Sequence, residues 1–432
     1  MVATAPFPGL LYNPERIQDL SQVIAPPYDV INPEEQERCY QRHDQNIIRL
    51  ELGKELPGDS SHENRYTRAQ RFLNDWRKDR FLLRDPAPAY YFYRIDYKTL
   101  SGESKTVKGF FGLVRLEDYS PGGISPHEET FSQPKADRLS LLRACRANLS
   151  PIFGLYSDPS HAILEKIETV VDSTRPGIDL VDHDGIRHRL WKIQDPPTLR
   201  YLTQQMEKKA VLIADGHHRY ETARTFHREE DSEASGWVLM YLSPIEDTGL
   251  TILPTHRVLS GLPIFEPKQW LHRLGADFQL TGYPFTARTQ SSECQHLLEE
   301  MAKGGKSNHR FGLFISGVPA FHLLTIRSNH PVFLESGIRR AFEGQILDVD
   351  ILNKILLPDY IKLADPSRHL QFVKNASEAI RLVEGGAQCV FLLNPPTIED
   401  IRALSDAGER MPQKTSYFYP KPLTGLVIRL LD

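Results

Sequence analysis

The sequence predicts an α+β fold in which mixed sheets, built partly from hairpins, pack against helices. Three observations support this class. Two pairs of extended segments are joined by tight turns, helical and extended patterns alternate after Leu262, and 40% of the 432 residues are hydrophobic. That apolar content is ordinary for a globular protein, so the composition excludes wholesale disorder.

The clearest predicted strands form two antiparallel hairpins in the first half of the chain. The first hairpin turns at Ser101 and Gly102 between two stretches rich in aromatic and β-branched residues. The second turns at Asp184 and Gly185, because aspartate followed by glycine suits a two-residue turn. The four segments are Tyr90–Lys98, Thr106–Leu116, Leu180–His183 and Ile186–Ile193.

The spacing of apolar residues predicts the remaining elements, while the proline-rich residues 1–35 are expected to form loop and short strand. The expected helices are His62–Arg80, Ala136–Arg146, His161–Val171, His217–Glu230, Lys268–Arg273, Glu293–Lys303, Leu347–Leu356, Ser377–Glu384 and Ile398–Ala407. The expected strands are Pro151–Tyr156, Ala210–Ala214, Trp237–Leu242, Phe311–Ile315, Phe321–Ile326, Leu370–Val373 and Cys389–Leu393.

The length of the chain favours more than one domain, since domains average roughly 150 residues. The pattern changes near residue 260. We therefore predict an α+β domain over residues 1–260 and an α/β-type second domain over residues 261–432, whose C-terminal segment returns to the site in the first.

Charge, hydropathy and cysteine content exclude several classes of protein. Lysine plus arginine total 52 against 56 acidic residues, a net charge of −4, so nucleic-acid binding is not expected. The longest apolar run, Gly236–Ser243, is far shorter than the roughly 20 residues that cross a bilayer. The N-terminus lacks signal-peptide features, and four widely spaced cysteines suggest reduced thiols in a cytoplasmic protein. The oligomeric state stays open.

The most informative segment is ADGHHRYETA, residues 214–223, in which a strand runs into a helix. The first helical turn carries His217, His218 and Arg219. A helix N-terminus is partly positive, so cationic side chains are unfavourable there unless an anion lies among them. The segment therefore predicts a phosphate held by first-turn N–H groups and by Arg219, with Gly216 allowing close approach of the backbone.

A structural alternative explains the same segment without a ligand. Asp215 would cap the helix and pair with Arg219 four residues later, while His217 would pair with Glu221. The sequence leaves both interpretations open, and Glu221 is retained as a supporting residue of the site.

Two proline-flanked segments supply candidate carboxylates. In the loop at residues 126–130, His127 and Glu128 are a candidate general base or metal ligand, with Arg138 following as a supporting cation. A solvated acidic loop is the simpler alternative. In APPYDVI, residues 25–31, paired prolines aim the carboxylate of Asp29, although a purely structural turn fits equally well.

The segment at residues 411–422 interleaves cations, hydroxyls and aromatic rings. Lys414 and Lys421 are candidates to neutralise a phosphate, and the rings to stack on a base. An edge strand that completes the core is the simpler explanation. His256 and Arg257 repeat the cationic theme more weakly and are expected to support the site.

Together these segments resemble the bacterial and archaeal proteins grouped as domain-of-unknown-function family 1015. The resemblance covers most of the chain, and its most specific part is ADGHHRYETA. The name of the family states no activity. The matching segments are residues 25–31, 127–139, 150–156, 214–223 and 411–426.

The D-G-H-H-R cluster is similar to the phosphate-binding element of the ParB/sulfiredoxin-like fold, which includes CTPases that clamp DNA and free-serine kinases. The resemblance implies that residues 216–219 hold nucleotide phosphates and that Glu128 or Asp29 deprotonates an acceptor hydroxyl. It also points to serine metabolism. It spans only about ten residues, so it is an analogy of site rather than of whole chain.

The leading hypothesis is a phosphotransferase that uses ATP or ADP, or CTP, with Mg and acts on a small hydroxylated metabolite such as serine. Neither a Walker A motif nor a G-x-G-x-x-G helix start is present. One alternative is a nucleotide-binding regulatory protein with little turnover. Another is a metal-dependent phosphohydrolase that uses Asp215, His217 and His218, although adjacent histidines point to different sides of a helix.

Overall fold

The computed structural model describes residues 2–99, 101–120, 122–128, 132–262, 265–304, 309–327, 347–361, 369–412 and 414–432. The chain forms two compact units. Unit 1 comprises Met1–Thr251 and Phe418–Asp432, and unit 2 comprises Ile252–Tyr417. A division into independently folding domains after residue 260 stays a prediction. In the structure, residues 252–260 belong to unit 2, because strand His256–Leu259 pairs with two strands of that unit.

Unit 1 is organised around a nine-stranded mixed sheet. Its strand order is β6-β11-β8-β12-β5-β4-β10-β9, and β1 also pairs with β5. The strands are β1 (Thr4–Ala5), β4 (Tyr90–Lys98), β5 (Ser104–Arg115), β6 (Ile124–Ser125), β8 (Ile152–Tyr156), β9 (Ile178–Val181), β10 (Arg187–Ile193), β11 (Val211–Asp215) and β12 (Trp237–Pro244).

Two small antiparallel sheets complete unit 1 and fix the chain ends. One pairs β2 (Leu10–Tyr12) with β3 (Leu82–Arg84), and the other pairs β7 (Ala147–Asn148) with β21 (Arg429–Leu430). Two further strands lie where the chain passes from one unit to the other. They are β13 (Thr251–Leu253) and β20 (Tyr417–Tyr419).

Seven helices of unit 1 cover this framework within the described residues. One apolar cluster joins sheet residues to Ile163, Leu202 and Tyr220 of three helices, and a second joins the other four helices to Leu10 and Ile428. The helices are α1 (Pro33–Arg42), α2 (Ile48–Glu51), α3 (Arg65–Lys78), α4 (Ser132–Cys145), α5 (Ala162–Val171), α6 (Pro196–Met206) and α7 (His217–Glu230), with short 3₁₀ turns at Leu20–Gln22, Tyr28–Val30 and Ala234–Gly236.

Unit 2 contains a six-stranded antiparallel sheet in the order β15-β17-β16-β19-β14-β18. Leu297 and Val383 of two helices pack on one face of it. The strands are β14 (His256–Leu259), β15 (Phe278–Pro284), β16 (Arg310–Ile315), β17 (Ala320–Ile326), β18 (Leu370–Val373) and β19 (Cys389–Leu392). The helices are α8 (Pro267–Asp277), α9 (Gln290–Ala302), α10 (Asp348–Ile351), α11 (Ala376–Glu384) and α12 (Ile398–Asp406), with a π-helix at Leu352–Ile361.

The predicted α+β class is confirmed, and so are both hairpins. Strands β4 and β5 pair antiparallel with Tyr91 opposite Phe111, and β9 and β10 pair with Leu180 opposite His188. Helices α1 and α6 and strands β14 and β15 were not predicted. Both helices start with signals that were overlooked, because Asn32 and Asp195 each cap the helix and a proline follows.

All four cysteines are free and buried, as expected. Burial raises the pKa of Cys39 and Cys294 to about 11 and that of Cys145 to about 12, and it raises the pKa of Cys389 as well. These thiols therefore stay protonated and act as small apolar side chains at neutral pH. Within the part of the chain that the structure describes, no helix combines the length and apolar character needed to cross a bilayer.

Candidate functional site

The candidate site begins where strand β11 ends at Asp215 and helix α7 starts at His217. Gly216 joins them in the left-handed region, with φ of +94°, and occupies the N-cap position. Tyr220 donates its backbone N–H to the carbonyl of Gly216 at 3.0 Å, which closes the first helical turn. The preceding N–H groups therefore lie at the positive end of a 14-residue helix.

Arg219 folds back over this turn. Its Nη2 donates to Asp215 Oδ2 at 2.5 Å and its Nη1 donates to the carbonyl of Pro151. Its Nε is buried and has no hydrogen-bond partner among the described residues. The pairing with Asp215 is the one that the structural alternative predicted, but Gly216 rather than Asp215 is the N-cap.

Lys421 is the second cation on Asp215. Its Nζ donates to Asp215 Oδ1, and it donates to Asp29 Oδ2 at 2.9 Å. The Lys421 side chain is 6% exposed, so this ammonium is largely removed from water. The C-terminal segment is held here by pairing of Thr424 with Ala25 and of residue 428 with residue 10. The structure thus places Asp29, Asp215, Arg219 and Lys421 in one network of alternating charge.

A pair of histidines in edge-to-face contact adjoins the helix start. The rings of His127 and His217 are 4.6 Å apart and nearly perpendicular. His127 Nδ1 lies 2.6 Å from the carbonyl of Ile213, so this nitrogen carries the proton and donates it. His127 Nε2 lies 3.6 Å from Glu128 Oε1. The backbone N–H of His127 points to His217 Nε2 at 3.3 Å.

Arg138 belongs to a buried ion pair beside the site rather than to its surface. Its Nη1 bonds Glu51 Oε1 at 3.1 Å, and Ser150 donates to the same oxygen at 2.9 Å. Its guanidinium lies 4.1 Å from the centre of the Tyr28 ring. Burial raises the pKa of Tyr28 to about 12, and the charge of Arg138 opposes that rise. A small cavity of about 50 Å³ is lined by both Arg138 and Arg219.

Glu51 is the functional candidate that sequence reasoning missed. It is 3% exposed and lies between Leu50 and Leu52, in a segment that is apolar apart from Glu51 and Arg49. A carboxylate in such a run signals a buried cationic partner, because an unpaired buried charge is very costly.

Two further predicted site residues, His218 and Glu221, lie on helix α7. The side chain of His218 is partly buried. Glu221 accepts a bond from Lys135 Nζ at 3.0 Å, so its observed role is to join helix α7 to helix α4.

Lys414, His256 and Arg257 belong to unit 2. Arg257 is 1% exposed and donates to the carbonyls of Thr255 and Lys414. Burial, followed by the charge of Arg257, lowers the pKa of His256 to about 4. Neutral His256 accepts the backbone N–H of Leu393 at 3.2 Å through Nδ1. A part for these three residues in phosphate binding stays a prediction.

The described residues contain no group of three or more histidine, cysteine, aspartate or glutamate side chains arranged to hold a metal ion. Two carboxylates of the site, Asp29 and Asp215, share the ammonium of Lys421. Magnesium commonly keeps water and substrate phosphates among its ligands.

Comparison with known proteins identifies the family. The family described as "Protein of unknown function (DUF1015)" matches residues 4–350. The chain belongs to family DUF1015. No curated protein gives a significant match to this DUF1015 sequence.

Solved structures similar to this DUF1015 protein are distant. A free serine kinase in complex with ADP is 13% identical, with a TM-score of 0.35, covering 70% of this chain and 88% of that one. SbnI from Staphylococcus aureus, truncated at its C-terminus, is 12% identical, with a TM-score of 0.36 and coverage of 74% and 87%. A conserved hypothetical protein from Pyrococcus furiosus is 14% identical, with a TM-score of 0.33 and coverage of 71% and 90%.

The contact between Gly216 and Arg219 predicts the effect of a single methyl group. A Cβ at Gly216 would lie 3.0 Å from Arg219 Nε and Nη2, whereas a Cβ at Gly185 would meet nothing within 4 Å. Both glycines have positive φ, so alanine costs each about 1 kcal/mol of backbone strain. We expect Gly216→Ala to lower the free energy of unfolding by about 1 kcal/mol more than Gly185→Ala, as measured by urea denaturation. Equal losses would contradict the close contact.

The lowered pKa of His256 predicts a pH-dependent loss of stability. The unfolded chain takes up a proton near pH 6.5 and the folded chain only near pH 4, so stability from neutral His256 is complete above pH 6.5 and falls towards pH 4. We expect a loss of about 3 kcal/mol over that window, at about 1.4 kcal/mol for each unit of pKa shift.

The measurement is urea unfolding at several pH values for the wild type, for His256→Asn and for His272→Asn. Asparagine keeps an acceptor for Leu393 but does not titrate, so His256→Asn should lose this component of the pH dependence. The exposed His272 serves as the control and should leave the dependence unchanged. Identical pH dependence in all three proteins would show that His256 is not the responsible group.

Proposed function

We propose that this DUF1015 protein binds a nucleoside di- or triphosphate at the Asp215–Arg219 turn and transfers a phosphoryl group to the hydroxyl of a small metabolite. One observation carries the proposal. A single carboxylate, Asp215, is bonded by both Arg219 and Lys421 at the positive end of a long helix. Two cations and a helix N-terminus around one anion match the inventory that a polyphosphate requires.

Phosphate binding at this turn would work by exchange of partners. Arg219 and Lys421 already bond the two carboxylate oxygens of Asp215, and a phosphate presents more oxygens and more charge to the same donors. The buried Nε of Arg219 is a further donor on the same guanidinium. Because Gly216 has no side chain, a phosphate that displaces the guanidinium of Arg219 from this glycine could approach the backbone closely.

Glu128 is the better candidate for the general base. Asp29 is bonded to the ammonium of Lys421 at 2.9 Å, and a carboxylate paired with a cation is a weaker base. Glu128 Oε1 instead lies 3.6 Å from the imidazole Nε2 of His127. In this scheme Glu128 takes the hydroxyl proton while the hydroxyl oxygen bonds to the terminal phosphorus. The bridging P–O bond breaks, and ADP leaves from ATP or AMP from ADP.

L-serine is the first acceptor to test. The D-G-H-H-R cluster resembles the phosphate-binding element of the ParB/sulfiredoxin-like free-serine kinases, and that resemblance is the reason for choosing serine. A carboxylate base next to a phosphate site suits any small primary alcohol, so the acceptor class is wider than serine itself.

A nucleotide-binding regulatory protein is the second candidate, and the state of Arg219 favours it. Both terminal nitrogens of Arg219 already donate to protein acceptors, Asp215 and Pro151. A protein that senses a nucleotide by releasing these bonds would need no catalytic base. A phosphohydrolase with Asp215 as a metal ligand has less support, because Arg219 and Lys421 both hold that carboxylate.

The first test follows phosphoryl transfer with Glu128→Gln. Purified protein is incubated with ATP, ADP or CTP plus Mg, with and without L-serine, and the phosphorylated product and the released nucleotide are quantified. We expect acceptor-dependent transfer in the wild type and a fall in kcat of about 100-fold or more in Glu128→Gln, with nucleotide affinity nearly unchanged. The exposed Glu229 on helix α7 provides the control, and Glu229→Gln should retain full activity.

The outcomes separate the three candidate functions. Transfer that depends on an acceptor supports the kinase. Saturable nucleotide binding with no turnover on any acceptor supports the regulatory protein. Release of phosphate from a phosphoester without nucleotide, abolished by a chelator, supports the hydrolase. Full activity of Glu128→Gln would remove Glu128 from the base role.

The second test measures nucleotide affinity in Arg219→Ala. Loss of a charge-assisted contact should cost about 2 kcal/mol or more, which is a rise in Kd of about 30-fold, measured by isothermal titration calorimetry. Arg228→Ala is the control, since Arg228 lies on the same helix and its side chain is 68% exposed. Arg219→Lys should restore only part of the affinity, because lysine keeps the charge without the planar fork. Unchanged affinity in folded Arg219→Ala would place the nucleotide elsewhere.

A further inference from the structure

Unit 1 contains a cleft that the proposed phosphotransfer does not use. It has a volume of about 520 Å³, within the range for small-molecule sites, and residues 246–249, which follow strand β12, form part of its lining. Strand β8 runs parallel to β12 and antiparallel to β11. The end of β12 is therefore at the opposite end of the sheet from Asp215, where β11 ends, so this cleft is separate from the Asp215–Arg219 turn.

The turn at residues 246–249 is fixed against strand β5. Asp247 Oδ2 accepts the backbone N–H of Lys108 at 2.9 Å, and its Oδ1 accepts that of Gly249 at 2.8 Å. A Cβ on Gly249 would collide with the carbonyl of Thr106, so this close approach requires glycine. The Asp247 carboxylate is therefore held in place before a ligand binds, which lowers the entropic cost of binding.

The negative charge of Asp247 is only partly compensated. The ammonium of Lys108 bonds Glu168 on helix α5 at 2.6 Å, and no ion pair joins Asp247 to a cation in the part of the chain that the structure describes. Burial raises the pKa of Asp247, although its backbone bonds and the charges of Lys108 and His161 oppose that rise. A partly buried carboxylate of this kind is stabilised by a ligand that brings an ammonium group.

Cations on two neighbouring strands line the cleft beside this turn. Arg94 on β4 lies directly opposite Lys108 on β5 and, on its other side, opposite Arg189 on β10, and like charges in such positions repel. Asp96 relieves only part of this repulsion, because it accepts bonds from both Arg94 Nε, at 3.1 Å, and Arg189 Nη2. Within the described residues, the terminal nitrogens of Arg94 make no hydrogen bond and Lys105, also in the lining, makes no ion pair. Both side chains can therefore bind an anionic group.

The remaining charged groups of the lining are Glu103, His161 and Glu246. Glu246 accepts the hydroxyl of Ser157 at 2.6 Å and the backbone N–H of Asp158 at 2.8 Å, whereas Glu103 and His161 are exposed. Carboxylates thus balance the cations around this cleft. Such a lining favours a ligand with both charges over a polyanion such as a nucleotide.

We propose that this cleft binds a small zwitterion of the amino acid class, with its ammonium at Asp247 and its carboxylate at Arg94 and Lys105. Asp247 is bonded to the backbone of Lys108, which lies directly opposite Arg94, so the two binding groups are separated by a single strand. Arginine offers the planar donor fork that matches a carboxylate. The inference stands whether or not the Asp215–Arg219 turn binds a nucleotide.

The test is isothermal titration calorimetry of the full chain with L-leucine, L-glutamine and L-lysine in the absence of nucleotide. For the amino acid that binds most tightly, two analogues are also titrated: the amine that lacks the carboxylate and the acid that lacks the ammonium. Thr248 lines the cleft and is exposed, so Thr248→Trp fills it without deleting a buried side chain. Thr169 is exposed on helix α5 and lies outside the lining, so Thr169→Trp is the matched control.

Arg94→Gln removes the positive charge, and Arg115→Gln is its control, because Arg115 is exposed at the other end of β5 and lies outside the lining. We expect saturable binding to the wild type and to both controls, and a Kd at least about tenfold higher in Thr248→Trp and in Arg94→Gln. Each single-charge analogue should bind the wild type at least about tenfold more weakly than the amino acid. This comparison tests both charges even where Arg94→Gln fails to fold.

Three results would each overturn the inference: no saturable binding of any of the three amino acids, equal affinity in Thr248→Trp, or equal affinity for either analogue. A loss of affinity in Glu128→Gln as large as that in Thr248→Trp would do the same, because it would place the amino acid at the proposed phosphotransfer site. Glu128→Gln should instead bind the amino acid as the wild type does, which distinguishes this result from failure of the proposed function.

Discussion

The double pairing of Asp215 with Arg219 and Lys421 is the interaction on which the site depends. Both cationic side chains are at most 10% exposed, so each must be compensated within the protein. Asp215 provides that compensation from the end of a buried strand, and Asp29 adds a second carboxylate to Lys421. Removing Asp215 would take away the carboxylate that both cations share. The C-terminal segment must therefore return to unit 1 for the site to exist.

The same network determines how an anion can enter. A phosphate that binds Arg219 and Lys421 competes with Asp215, so the gain in free energy is the difference between two charge-assisted partners rather than the full strength of either. The helix N-terminus favours the anion, because its N–H donors and its positive potential stabilise a phosphate in addition to the two cations. Modest affinity is the physical signature of such an exchange.

Local patterns in the sequence predicted much of the fold and the strand-to-helix turn of the site at Asp215–Arg219. The hairpin at β4 and β5 and helix α7 follow from periodicity and turn residues, which act over a few positions. The long-range pairs did not follow. Lys421 meets Asp29 across 392 positions, and Arg138 meets Glu51 across 87, and no local pattern selects such partners. Charged residues in apolar or proline-rich surroundings indicate only that a partner exists.

Two segments of similar composition show why tertiary position decides the chemistry. Gly185 and Gly216 both follow an aspartate, lie near histidines and have positive φ. After Gly185 the apolar residues alternate and the chain returns as strand β10, so the turn faces open space. After Gly216 the spacing is helical, and the guanidinium of Arg219 folds onto the glycine. The proposed anion site depends on a helix start, a strand end and a distant lysine that meet there.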